Sequence, residues 1–119
     1  MGDVQATDPP GDGFTRRSRA PEGFVEAVLA VVGDIPPGRV MTYGGVAAVL
    51  GSRGARVVGQ VMAYYGADVP WWRVVRASGE PPAGHEERAL RHYREEGTPL
   101  RTPTRVDMRA ALWSPTLLP

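Results

Sequence analysis

The sequence predicts a small, mostly α-helical domain with minor β-structure, of winged-helix type and built around three helices. Apolar residues recur at helical spacing in several segments, and a four-residue turn with two glycines separates two of those segments. Only residues 72–75 have the character of a short strand. The chain has 119 residues, 42% hydrophobic and 23% charged, so we expect one globular domain.

The first segment, residues 1–19, has no apolar period. It is rich in Gly, Asp, Pro and Arg, which is typical of disorder, so we expect residues 20–119 to hold the domain. It also lacks the apolar core of a signal peptide, and no run in the chain approaches the roughly 20 apolar residues that span a bilayer. We therefore expect a cytoplasmic protein without a membrane partner.

The first helix is expected to begin near Pro21, because proline fits a first helical turn. Its core face consists of four apolar residues at helical spacing: Phe24, Val28, Leu29 and Val32. Gly33 and the Pro-Pro-Gly turn at residues 36–38 end it. Residues 39–41 are expected to be extended.

The middle of the chain predicts a helix-turn-helix. Thr42 is a suitable N-cap for a helix over residues 43–50, residues 51–54 form a tight turn, and a second helix follows over about residues 55–65. The expected inward-facing residues are Val46, Val49, Leu50, Val57, Val58, Val61 and Met62. Many helical hairpins bind nothing. Here, however, residues 39–79 contain five arginines and one aspartate, a net charge of +4 that favours an anionic partner.

The second half of the chain predicts a short strand at residues 72–75, a turn at 77–79 and a helix over 85–96 that ends at Gly97. The apolar face of that helix consists of Ala89, Leu90 and Tyr93. A short helix is expected around residues 107–112, and Trp113 is expected to pack back on the core.

The chain contains no cysteine, which excludes a disulfide framework, a thiolate metal site and a thiol nucleophile. His85 and His92 are too few and too isolated for a metal site, so we expect them to be solvated helix residues and expect no cofactor. The adjacent Trp71 and Trp72 are unusual. A buried pair needs partners for both indole N–H groups, whereas an exposed pair is an apolar liability.

Three blocks in the chain, taken in order, resemble the alkylguanine-DNA alkyltransferases: IPPGRVMTYGGVAAVLG at residues 35–51, ARVVGQVM at 55–62 and VPWWRVV at 69–75. The resemblance covers residues 21–113 and corresponds to the C-terminal DNA-binding domain of those repair proteins. The family's enzymes carry Pro-Cys-His-Arg-Val where this chain reads Pro-Trp-Trp-Arg-Val. Trp71 stands in place of the nucleophilic cysteine and Trp72 in place of its activating histidine. This pattern is typical of the alkyltransferase-like proteins, which recognise O6-alkylated guanine without repairing it.

The resemblance implies a role for each matching residue. Tyr43, Trp71 and Trp72 would form the pocket that receives the flipped guanine, and for Trp72 we favour packing behind Trp71 over contact with the base. Arg56 would be the arginine finger that fills the gap in the base stack. The implied contacts to the DNA backbone are Thr42, Gly44, Gly45, Arg53, Gly54 and Gly59. The implied structural residues near the pocket are Pro70 and Arg73.

Each of these residues also has an alternative explanation that involves no contact with DNA. Trp71 could simply plug a vacant pocket, Arg56 could be a surface arginine, and Tyr43 could be an ordinary residue at a helix start. Gly59 costs about 1 kcal/mol relative to alanine inside a helix, so we expect a phosphate or a neighbouring helix to approach it closely. Residues 80–84, Glu-Pro-Pro-Ala-Gly, replace a Gly-Tyr-Ser-Gly type segment of the transferases and are expected to form a short, stiff loop.

The resemblance therefore implies a non-enzymatic sensor of DNA damage. It would bind double-stranded DNA containing O6-alkylguanine, flip the base into a pocket and mark it for nucleotide excision repair proteins, without alkyl transfer. Two alternatives remain open. One is an enzyme that transfers the alkyl group to another side chain or hydrolyses the lesion. The other is a helix-turn-helix transcription regulator without lesion specificity, which would prefer an undamaged operator.

Overall fold

The structure is a computed structural model that describes residues 23–51 and 54–115. In chain order, the elements are helix α1 (Phe24–Gly33), strand β1 (Met41–Thr42), helix α2 (Tyr43–Val49), helix α3 (Ala55–Tyr65), strand β2 (Val74–Val75), helix α4 (Glu86–Glu96), strands β3 (Leu100–Thr102) and β4 (Arg105–Val106), and helix α5 (Met108–Ala111). Single 3₁₀ turns at Gly66–Asp68 and Trp71–Arg73 lie between α3 and β2. The predicted class, mostly helical with minor β-structure, is confirmed.

The first helix begins at Phe24, after Gly23 in a left-handed conformation. Pro21 and the predicted disordered tail at residues 1–19 lie outside the described residues. Within α1, Val28 and Val32 are fully buried, as the apolar spacing predicts.

The helix-turn-helix has the predicted bounds to within one residue. The Thr42 hydroxyl caps α2 and accepts a hydrogen bond of 2.8 Å from the backbone N–H of Gly45. Val46 is fully buried, but the prediction for Val49 is wrong, because this side chain is 37% exposed and Ala47 takes the inward position. In α3 the fully inward residues are Val58 and Val61. Val57 and Met62 are half-buried.

Two apolar clusters form the core, and β1 and β2 lie between them. The strands pair in parallel, with Met41 opposite Val74. The first cluster contains Val28, Val32, Ile35, Met41, Val46, Ala47, Val58, Val61 and Val74. The second contains Val40, Val75, Ala89, Leu90, Tyr93, Val106 and Ala111. Because successive strand residues point to opposite faces, Val74 packs in the first cluster and Val75 in the second.

The prediction of a strand from residue 72 is wrong. Residues Trp71–Arg73 form a 3₁₀ turn, in which the N–H of Arg73 donates to the Pro70 carbonyl at 3.0 Å, and the strand begins only at Val74. This turn directs both tryptophans toward α4, because their rings contact His92 on that helix.

No strand was predicted after α4, but the structure has an antiparallel hairpin of β3 and β4 there. The hairpin is anchored to the turn at Gly79. The Val106 N–H donates to the Gly79 carbonyl at 2.9 Å, and a Cβ on Gly79 would lie only 2.6 Å from the Val106 carbonyl oxygen. Together with a φ of +89°, this close approach requires glycine at position 79.

The chain end described by the structure matches its prediction. Asp107 caps α5 through its side chain, and the Trp113 N–H donates to the Val40 carbonyl at 2.8 Å. The Trp113 ring packs against the first cluster. None of the helices in the described ranges has the length and apolar character needed to cross a bilayer.

Candidate functional site

A cavity of about 450 Å³ lies between α3, the Trp71–Arg73 turn and the segment that leads into α4. Its apolar wall consists of Met62, Ala63, Ala67, Pro82 and Ala83. Its polar and aromatic lining consists of Tyr43, Trp71, Arg76, His85 and Arg88. The backbone of Gly59 and Gly66 completes it. Of the three residues expected in a pocket, Tyr43 and Trp71 are therefore brought together, whereas Trp72 is not part of the lining.

The ring of Trp71 is held by its neighbours on α4 and by Trp72. It meets Trp72 edge to face, with 5.5 Å between ring centroids, and His92 edge to face at 5.9 Å. The His85 ring lies 5.7 Å away. The Arg88 guanidinium carbon lies 5.0 Å from the indole centroid, within the range of a cation–π contact. These contacts make the indole a fixed wall of the cavity.

Trp72 lies in a polar cluster behind Trp71. Its indole N–H donates to Glu96 Oε2 at 3.0 Å, and its ring stacks on His92 with 3.6 Å between centroids and an interplanar angle of 5°. The Tyr93 hydroxyl donates to the Trp72 carbonyl at 2.6 Å. The indole N–H of Trp72 therefore has the partner that a buried position demands.

Arg73 and Glu96 form the centre of this cluster. Arg73 donates to both carboxylate oxygens of Glu96, at 3.1 Å from Nε and 2.5 Å from Nη2, and to the Ile35 carbonyl at 2.9 Å. The N–H of Gly38 donates to Glu96 at 3.2 Å. Burial acts to raise the pKa of Glu96, but the hydrogen bonds from Arg73, Gly38 and Trp72 outweigh it, and the pKa lies below its ordinary value.

Tyr43 is the first residue of α2 and is half-buried beside the cavity. Burial raises the pKa of its phenol, and the positive charge of Arg76 opposes that rise only in part. The phenol is therefore neutral and able to donate a hydrogen bond at physiological pH.

A shallow groove runs along the outer face of α3 and joins the cavity. It is lined by Tyr43, Ala55, Arg56, Gly59, Gln60, Ala63 and Tyr64. Tyr43, Gly59 and Ala63 line both the groove and the cavity. Arg56 is exposed, as is Tyr64 with 82% of its side chain accessible.

Gly59 lies where the groove and the cavity meet. A Cβ at this position would have no atom within 4 Å, so a neighbouring helix does not explain the glycine and that half of the prediction is wrong. Approach of a phosphate stays a prediction.

The other residues expected to contact DNA lie around the two helix starts. Gly44 is exposed, whereas the N–H of Gly45 is already bonded to Thr42. Gly54 precedes α3, and its carbonyl accepts a hydrogen bond of 3.1 Å from the Val58 N–H. Arg53 lies outside the described residues.

The contribution of α4 and of its N-cap residue His85 was not predicted from the sequence. His85 and Arg88 line the cavity, and His92 is half-buried on Trp72, so the expectation that His92 is a solvated residue is wrong. The signal was present, because positions 85, 88 and 92 share one face of a helix. Arg76 was also missed. In the described ranges, no group of three or more acidic or histidine side chains is arranged to hold a metal ion.

Comparisons with known proteins identify the family of the chain. The sequence profile of the 6-O-methylguanine DNA methyltransferase DNA-binding domain matches residues 23–98. A DNA base-flipping protein of Vibrio parahaemolyticus is 31% identical over 97 residues, which cover 77% of this chain and 97% of that protein. A DNA base-flipping protein of Escherichia coli is 34% identical over 101 residues, which cover 78% of this chain and 76% of that protein.

The fold is also similar to a solved structure, that of Atl1 from S. pombe in complex with damaged DNA containing O6-carboxymethylguanine. The TM-score is 0.70 at 30% sequence identity, and the match covers 82% of this chain and all of that one. A second structure of the S. pombe protein with DNA matches with the same TM-score at 29% identity. The chain therefore belongs to the family defined by the DNA-binding domain of the 6-O-methylguanine DNA methyltransferases.

Proposed function

We propose that the protein is a non-enzymatic sensor of O6-alkylguanine in duplex DNA, which flips the damaged base and holds it in the cavity beside Trp71. One observation carries this proposal. An indole occupies the position of the family's reactive cysteine and forms a wall of an open cavity, in a chain without any cysteine. The relatives named as base-flipping proteins and the S. pombe complex with damaged DNA support the same mode of binding.

Flipping is favourable only if the protein offsets the loss of stacking and pairing. Extruding a base costs a few kcal/mol, and less when its pairing is already damaged, as it is for guanine alkylated at O6. Stacking on an aromatic ring contributes about 1–3 kcal/mol, which is of the same size. In this proposal Trp71 supplies that contact, and Arg56, on the exposed face of α3, fills the gap left in the duplex.

We also propose that no alkyl group is transferred to the protein. The lone pair of an indole nitrogen belongs to the aromatic ring, so Trp71 is not a nucleophile under mild conditions. Trp72 stands at the position of the activating histidine, and its indole N–H donates a hydrogen bond to Glu96. His85 also lines the cavity, and its imidazole is a nucleophilic group that could accept an alkyl group. Mass spectrometry of the protein after incubation with alkylated oligonucleotide therefore tests the proposal, because it detects an adduct on any residue. A protein adduct on His85 or any other residue would make the protein an enzyme.

A titration with matched duplexes tests the sensor proposal. The two duplexes differ only in one guanine, unmodified or O6-methylated, and we expect tighter binding of the methylated duplex. Competition with unrelated undamaged sequences serves as the control. A regulator would prefer a particular undamaged sequence over the lesion, and equal affinity for both guanines would contradict the proposal.

The step after recognition is proposed from the resemblance to alkyltransferase-like proteins. In this proposal the bound lesion is marked for nucleotide excision repair proteins. A reconstituted excision reaction on O6-methylguanine duplex is expected to release the damaged strand faster when the protein is present. No change in the rate, at protein concentrations that saturate the lesion, would contradict this step.

A further inference from the structure

The lining of the cavity carries positive charge on the side formed by α4 and the segment before it. The two guanidinium groups of Arg76 and Arg88 line this side, beside the His85 ring. Within the described ranges, no carboxylate is part of the lining. A group that enters the cavity therefore meets an apolar wall, the Trp71 ring and guanidinium donors. This combination favours a ligand with a negative charge at one end.

The charge of Arg88 is the less compensated of the two guanidinium groups. No ion pair joins Arg88 to a carboxylate in the part of the chain that the structure describes. The residues three and four positions away on either side are Gly84, His85, Arg91 and His92, none of them acidic. The Arg88 guanidinium carbon lies 5.0 Å from the Trp71 ring centroid, and among the described residues no group accepts a hydrogen bond from Arg88, so its N–H donors stay available for a planar acceptor.

Arg76 is held more tightly by its surroundings. Its Nε donates to the Pro81 carbonyl at 2.9 Å, while Glu80 and Glu86 lie 3.9 and 3.6 Å from its terminal nitrogens. These two ion pairs are longer than hydrogen bonds and largely exposed, so they neutralise the charge only in part. The charge of Arg76 reaches the cavity, since it acts to lower the pKa of Tyr43 there.

We propose that the cavity selects O6-alkylguanines whose O6 substituent ends in a carboxylate, and that Arg88 recognises this carboxylate while Arg76 adds to the attraction. This inference deepens the proposed function and rests on it. The substituent of a base packed beside Trp71 lies within reach of the guanidinium that contacts the same ring. A carboxylate and a guanidinium can form two parallel charge-assisted hydrogen bonds, which a neutral alkyl group cannot accept.

Three duplexes separate charge from size in the test. They carry O6-carboxymethylguanine, the carbamoylmethyl amide of nearly the same shape, or O6-methylguanine. For the wild-type protein we expect the carboxymethyl duplex to bind about tenfold more tightly than the amide duplex. We expect Arg88→Gln to bring this ratio close to one and Arg88→Lys, which keeps the charge but loses the planar fork, to give an intermediate ratio.

Arg91→Gln is the matched control. It removes the same charge from the same helix, and Arg91 is exposed like Arg88, but Arg91 is not part of the cavity lining. We expect this variant to keep the wild-type ratio. Circular dichroism establishes that each variant is folded, and Arg88→Lys decides the role of Arg88 should Arg88→Gln fail to fold.

The two proposals fail in different ways. If the protein prefers O6-methylguanine over guanine but binds the carboxymethyl and amide duplexes equally, only this inference is overturned. A wild-type ratio that persists in Arg88→Gln overturns the assignment to Arg88. If no alkylated guanine is preferred over guanine, the proposed function fails, and this inference fails with it.

Discussion

At the scale of single residues, Trp71 determines what the cavity can do. A thiol at this position would be small and reactive, whereas the indole is large, unreactive and held by Trp72, His85, His92 and Arg88. In the proposed function, the ring that replaces the nucleophile also offers a stacking surface for a base. The proposal therefore explains both the absence of alkyl transfer and the binding of the base by the same indole.

Replacing Trp71 by alanine is expected to weaken binding of O6-methylguanine duplex by about tenfold to a hundredfold. This range corresponds to loss of a stacking contact of about 1–3 kcal/mol. Binding of the undamaged duplex should change far less, because it rests on backbone contacts. Trp71→Phe, which keeps an aromatic ring, should retain most of the preference. Fluorescence anisotropy measures the affinity for each duplex. Equal losses of affinity for the methylated and the undamaged duplex would show that Trp71 does not read the base.

Arg56→Ala is expected to reduce base flipping, since in the proposed function the flat cation of Arg56 on the groove side of α3 fills the gap in the stack. A fluorescent base analogue opposite the lesion reports flipping directly. Arg94→Ala removes the same charge from an exposed position on α4 and should leave the signal unchanged. An unchanged signal in Arg56→Ala itself would remove the assignment of Arg56 as the arginine finger.

At the scale of elements, Glu96 joins three parts of the fold. It accepts hydrogen bonds from the 3₁₀ turn that carries both tryptophans and from the Gly38 N–H after α1, and it lies in the last turn of α4. The side chains of Glu96 and Arg73 are each only 13% exposed, so the ion pair is largely shielded from water. Removing one charge would leave the other poorly compensated.

Glu96→Gln is expected to lower the free energy of unfolding by about 2 kcal/mol at pH 7. Because the folded-state pKa of Glu96 lies below its ordinary value of 4.5, this stabilisation is present above about pH 4.5 and is lost as the pH falls through the lower folded-state pKa. The difference from the wild type should therefore shrink in denaturant unfolding at pH 3. Glu95→Gln, at an exposed neighbouring position, should have little effect at either pH. A difference that is independent of pH would contradict the role of the Glu96 charge.

Helix α3 contains a glycine at its centre that no packing contact explains. Gly59→Ala is expected to raise the free energy of unfolding by up to about 1 kcal/mol, because alanine favours the helix and its Cβ would meet open space. It should nevertheless weaken DNA binding, since the methyl group lies where the groove and the cavity join. Gly33→Ala, at the end of α1 and away from both, is the matched control. Tighter or unchanged DNA binding by Gly59→Ala would show that nothing approaches this residue closely.

The elements that could be predicted from the sequence are those with local signals. Helices α2 and α3 have an N-cap, an apolar period and a glycine turn within a few residues of one another, so their bounds followed to within a residue. The hairpin of β3 and β4 has no alternating pattern in Leu-Arg-Thr-Pro-Thr-Arg-Val and depends on pairing with Gly79 far away in sequence. The shared helix face of positions 85, 88 and 92 is visible in the sequence, but the packing of that face against Trp71 depends on the tertiary structure, so the contributions of His85 and Arg88 were missed.

At the scale of the whole molecule, the charge is unevenly distributed. The net charge is only +1, yet residues 39–79 carry +4 and include the helix-turn-helix, the groove and the Trp71 wall. In the proposed function, the protein combines a general attraction to phosphate with a cavity that reads one base. The attraction to phosphate depends on salt concentration, whereas recognition of the base depends on contacts that are partly shielded from solvent.

The two contributions are expected to separate in a salt titration. Affinity for undamaged duplex should fall steeply with salt, by about 0.9 log unit per log unit of salt for each phosphate contact. Affinity for O6-methylguanine duplex should fall with the same slope, because both duplexes make the same backbone contacts, so the ratio of the two affinities should stay nearly constant. Trp71→Ala should lower that ratio without changing the slope. If the ratio itself collapsed at high salt, the preference for the lesion would be electrostatic, and stacking on Trp71 could not be its source.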